Sequence, residues 1–76
     1  AYSRRGEYAR AAEVFSGAID LDPTDADLFF FRANALAATG KFAEAIADFS
    51  HAIEIRPDYA AAYHNRATAR VDAGEL

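Results

Sequence analysis

"FAEAIADFSHAIEI", residues 42–55, sets Phe42, Ala45, Ile46, Phe49, Ala52 and Ile53 three and four residues apart. That spacing is the apolar stripe of an amphipathic helix, and the strict alternation of a half-buried strand is absent. Thirty-four residues earlier the same stripe stands as Tyr8, Ala11, Ala12, Phe15, Ala18 and Ile19.

The period extends beyond the stripe. Residues 1–42 set against residues 35–76 give 14 identities in 42 positions. Seven are alanine, which a chain holding 20 alanines supplies by chance. The other seven are Gly6/Gly40, Phe15/Phe49, Ser16/Ser50, Ile19/Ile53, Pro23/Pro57, Arg32/Arg66 and Gly40/Gly74, joined by such conservative pairs as Phe29/Tyr63 and Leu21/Ile55. Self-similarity at a fixed period of this length is the mark of stacked repeats.

The breaks repeat as well. "LDPTDAD" (21–27) and "IRPDYAA" (55–61) each hold a proline shortly before a new helical pattern. Proline stops the helix before it, and Thr24, Asp25 or Asp58 is placed to cap the next. "ATGKF" (38–42) and "DAGEL" (72–76) put glycine where a helix C-terminus needs a positive φ. The pattern predicts helices over Tyr8–Asp20, Asp25–Thr39, Phe42–Glu54 and Tyr59–Ala73, with a short helical remnant before a break at Gly6. Short turns between them imply antiparallel helix hairpins stacked in a row, an all-α fold.

Composition narrows the function. With no cysteine there is no disulfide framework and no thiolate metal site. A net charge of −4 lacks the basic patch that nucleic acid or an anionic membrane requires. No apolar run is long enough to span a bilayer, and "AYSRRGEYAR" has no apolar signal core. These features fit a cytoplasmic setting. Without a disulfide, a chain of 76 residues is marginally stable alone.

The chain resembles the tetratricopeptide repeat (TPR) family, whose repeat is 34 residues in two helices, A and B. Ala26 to Tyr59 reads as one full repeat, with Phe29, Ala33, Leu36, Gly40, Phe42, Ala45, Phe49, Ala52 and Pro57 at its signature places. The preceding copy supplies Gly6, Tyr8, Ala11, Phe15, Ala18 and Pro23; the following one supplies Tyr63, Ala67, Gly74 and Leu76, with Arg70 where an apolar residue is usual. The resemblance implies a right-handed α-solenoid of helix hairpins: a partial repeat over 1–25, a full one over 26–59 and a partial one over 60–76. It also implies that the chain is a fragment of a longer array, or that copies cover each other's ends.

The resemblance gives a direction to each ring of "LFFFRA" (28–33). Phe29 belongs to the core, Phe30 to a concave groove lined by A helices, and Phe31 to the groove edge or to packing between repeats. From the full repeat the groove takes Asp27, Phe30, Asn34, Ala37 and Ala38, with Phe31 beside them. The third copy adds Ala61, His64, Asn65, Thr68, Val71 and Asp72. Aromatic rings beside amides suit a peptide: the rings are buried and the amides bond its backbone. One mode in the family grips a C-terminal carboxylate with lysine, asparagine and arginine. Asn34 and Asn65 fit it, but Phe30 and His64 replace lysine, which argues against an acidic tail as ligand.

No constellation points to catalysis. Asp20, Asp22, Asp25 and Asp27 lack the glycine and terminal glutamate of a calcium loop and read as helix caps. His51 reads as a solvated surface residue; His64, in the groove, would titrate there and make binding pH-sensitive. No serine lies in a nucleophile motif, and no phosphate-cradling loop occurs. No cofactor and no metal are expected. Arg32 and Arg66 stand where the family usually has leucine, and Asp48 is expected to pair with one of them, tying helix A to helix B. The expected function is a non-catalytic protein-interaction scaffold binding a peptide or partner protein. The alternative is a self-assembly module whose copies stack into homo-oligomers.

Overall fold

The computed structural model describes residues 3–74. It holds four helices, α1 (Ser3–Leu21), α2 (Ala26–Ala38), α3 (Phe42–Ile55) and α4 (Ala60–Asp72), and no strand among the described residues. Leu76, expected to open a further helix, lies outside them.

The turns follow the expected chemistry in part. Asp25 caps α2, its carboxylate accepting from the Asp27 N–H at 3.0 Å. Thr24 turns instead to Asp22, donating its hydroxyl at 2.7 Å. Asp58 does not cap α4; Tyr59 stands at that cap and makes no side-chain bond there. At the end of α2, Gly40 adopts φ 83° and the Lys41 N–H reaches back to the Leu36 carbonyl at 2.9 Å. That bond and Gly40 N–H to Ala37 O close a Schellman turn. Gly74 repeats the geometry at φ 82°.

The break expected at Gly6 does not form. α1 runs through Gly6 without interruption for 19 residues. Glycine at a helix end is an option that tertiary contacts select. Nothing lies within 4 Å of a Cβ built on Gly6, so no neighbour imposes a turn, and the helical pattern of "RRGEYARAAEVF" continues.

The helices pack in chain order, α1 on α2, α2 on α3, α3 on α4, with a further contact between α2 and α4. α1 and α3 do not meet among the described residues. The core is Ile19, Ala26, Phe29, Ala33, Ala45, Phe49, Ala52, Ala62 and Ala69. Ala33, Ala45, Ala52 and Ala62 are wholly enclosed, because small residues let helix backbones approach; Phe49 is the one large side chain sealed among them. Ala67 has the same place in α4 as Ala33 in α2, yet it is exposed, since no described helix lies across it.

Candidate functional site

Two faces gather polar side chains. The first is formed by α2 and α4. Asn65 Nδ2 donates to Asn34 Oδ1 at 3.0 Å, bridging the two helices side chain to side chain. One helical turn before Asn34 lies an aromatic group. Phe30 is half-buried, stacked on Tyr59 at 4.9 Å between ring centroids and edge-on to Phe49 at 5.8 Å. Tyr59 donates its hydroxyl to Asp27 Oδ1 at 2.6 Å, and the Arg56 guanidinium covers its ring at 4.4 Å. Burial first, and the bond to the Asp27 carboxylate second, push the Tyr59 hydroxyl up to about 12. Arg56 also approaches Asp27 at 3.5 Å, an exposed pair of little energetic weight.

Phe31 is the most exposed of the three phenylalanines, 45% accessible, although it meets Phe15 of α1 at 5.8 Å. Ala38, Ala61, His64 and Thr68 are exposed, and Thr68 donates its hydroxyl back to the His64 carbonyl at 3.2 Å. Asn34, Asn65, Asp27 and Phe30 are thus each engaged within the protein. Tyr59 and Arg56 were not among the expected groove residues. Their signal was faint: an aromatic in the slot that Asp25 fills one repeat earlier, where its ring has replaced a side-chain cap.

The second face lies between α1 and α3, above α2. A cleft of ≈ 490 Å³ opens there, lined among others by Ala12, Glu13, Ser16, Arg32, Glu44 and Asp48. At its floor Arg32 donates from Nε and Nη2 to the two Asp48 oxygens at 2.7 and 2.8 Å, and from Nη1 to Ser16 Oγ at 3.0 Å. The expected pairing of Asp48 with one of the two arginines is therefore made by Arg32. This chelation holds the Arg32 proton more tightly than usual, against the opposing effect of burial. Ser16 in turn donates to the Ala12 carbonyl, and among the described residues no buried side-chain polar atom lacks a partner. His51 is exposed as expected but also lies flat on Phe29, 4.6 Å between centroids.

No helix of the described residues is long and apolar enough to cross a membrane. A family model described as Tetratricopeptide repeat matches residues 1–60 and again residues 30–76. A search of curated proteins finds no match to the chain.

Proposed function

Because the chain belongs to the tetratricopeptide repeat family, a family of protein-interaction scaffolds, we propose that it is a non-catalytic scaffold binding an extended peptide of a partner protein on a concave α2–α4 face. The observation that carries this reading is the Asn34–Asn65 bridge. It uses one acceptor and one donor and leaves the Asn34 NH₂ and the Asn65 carbonyl oxygen for a ligand. An extended peptide presents a matching carbonyl and N–H along its backbone. Phe31 and the exposed Ala38 and Ala61 supply apolar surface beside the pair, and His64 and Thr68 border it. Asp27 and Phe30, held by Tyr59, form its rigid end wall.

A peptide-array screen followed by titration of the best binder tests the reading. Asn65→Ala should weaken binding about tenfold, the worth of one buried hydrogen bond. Lys41→Ala, beside the α1–α3 cleft, should leave it unchanged. Equal effects of the two substitutions would place the peptide elsewhere.

The second reading, self-assembly, draws support from apolar side chains on both outer helices: Val14 is 65%, Tyr63 45% and Val71 52% exposed. Light scattering across a concentration series decides it: a mass that grows with concentration supports stacking, and one chain mass throughout removes it.

A further inference from the structure

The cleft between α1 and α3 is built from three consecutive helices, and α4 contributes nothing to its lining. It opens on the side of α2 away from the proposed peptide face. At about 100° per residue, Arg32, Leu36 and Thr39 lie roughly half a turn around α2 from Asp27, Phe30 and Asn34. On α1, Ala9, Glu13 and Ser16 stand about as far from Ala11, Val14 and Ala18, the side that a helix stacked ahead of α1 would cover. Helices added at either end of the row therefore leave the cleft open.

Its walls are short: Ala9 and Ala12 on α1, Ala47 on α3, with Leu36 beneath. The charges of the floor cancel, since Arg32 chelates Asp48 while holding Ser16. The sign of the cleft is set by Glu13 on one wall and Glu44 on the other. Both are exposed, and neither is in an ion pair among the described residues. Lys41, also exposed, stands at one margin, before the first turn of α3.

We propose that the cleft receives an arginine side chain from an extended segment of a partner protein, its stem along the alanine walls and its guanidinium between Glu13 and Glu44. A volume of ≈ 490 Å³ is ample for such a side chain and its chain neighbours. The planar guanidinium offers N–H groups to two carboxylates at once and sheds water more readily than an ammonium group. Its methylene stem covers apolar surface that a small cation would leave bare. An acidic side chain would meet two like charges there, and Lys41 repels a second cation at the margin. The site shares no residue with the Asn34–Asn65 face, so this proposal and the peptide-binding reading fail independently.

The test titrates the isotopically labelled full chain at low salt with two blocked pentapeptides. One is Ala-Ala-Arg-Ala-Ala; the other has citrulline in place of arginine, which keeps the shape and loses the charge. The arginine peptide should shift the amides of Ala12, Glu13, Leu36, Glu44 and Ala47. It should bind about fivefold more tightly than the citrulline peptide, the weight of two exposed ion pairs. Substitutions in the protein should act with opposite signs, which loss of folding cannot imitate. Glu13→Gln combined with Glu44→Gln should bring the two peptides level, and Lys41→Ala should widen the gap about twofold. Equal affinity of the two peptides for the unaltered chain would overturn the proposal. So would shifts centred on Asp20, Asp22, Asp25 and Asp27, which would mean attraction by charge alone, or on Asn34 and Asn65. Shifts in the cleft on diluting the chain without peptide would also overturn it, by giving the cleft to a second copy.

Discussion

Asp48 is the only charged side chain buried among the described residues, and both hydrogen bonds it accepts there come from Arg32. Removing a buried carboxylate strands its partner. Arg32 keeps 24% of its side chain in contact with solvent, so the loss should lie below that of a fully enclosed pair. Asp48→Ala is expected to cost about 2–3 kcal/mol, and Asp48→Asn, which retains one accepting oxygen, roughly half of that. In a domain of this size the first substitution lowers Tm by on the order of 10 °C, readable by circular dichroism. Tyr59 gives a prediction of opposite pH sense to that of a paired carboxylate. Its folded value, about 12, lies above the ordinary tyrosine value of 10.0, so the native state keeps the proton longer. The stability this confers is complete below pH 10 and is lost as pH rises from 10 towards 12. Denaturant titrations should show the chain weakening more steeply over that window than Tyr59→Phe, which has no proton to lose; parallel curves would mean that the hydroxyl is not held.

At the scale of the element, two glycines with the same place in the repeat have opposite roles. Gly40 at φ 83° closes a helix, and Gly40→Ala should cost about 1 kcal/mol. Gly6 is inside α1 with open space around it, and Gly6→Ala should stabilise the chain by roughly 0.5–1 kcal/mol. Chemical denaturation of the two variants checks both signs. The pair also marks how far the sequence could be read. α2, α3 and α4 were legible because apolar spacing, proline and glycine agree along each of them. The Gly6 break was misread because a glycine permits a turn but does not compel one; a packed neighbour must do that, and none lies against it. The pairing of Asp48 with Arg32 was legible because an arginine stands where the family usually has leucine, with Asp48 on the helix between the two arginines. The Tyr59–Asp27–Arg56 group was not, since it depends on where the chain crosses from α3 to α4, which local periodicity does not encode.

Across the whole molecule the Cα extents are 35 × 33 × 15 Å, a thin slab in which each helix is supported chiefly by its neighbours in the chain. Such arrays behave as a row of units with nearest-neighbour coupling and fray from their ends. Arg32 departs from that rule. It fastens Ser16 and Asp48, on helices whose backbones do not approach each other among the described residues, so α1 is linked through α2 to α3 as well. Ser16→Ala cuts this link while leaving the chelated acid in place. It should lower the opening free energy of α1 amides in native-state hydrogen exchange by about 1 kcal/mol and leave those of α4 unchanged. The same stitch bears on how the protein yields to tension. A pull along α1 loads the Ser16–Arg32 hydrogen bond together with the apolar contacts of Phe15 and Ile19. The first helix should therefore resist detachment more than one held by apolar contacts alone, and Ser16→Ala should remove that difference.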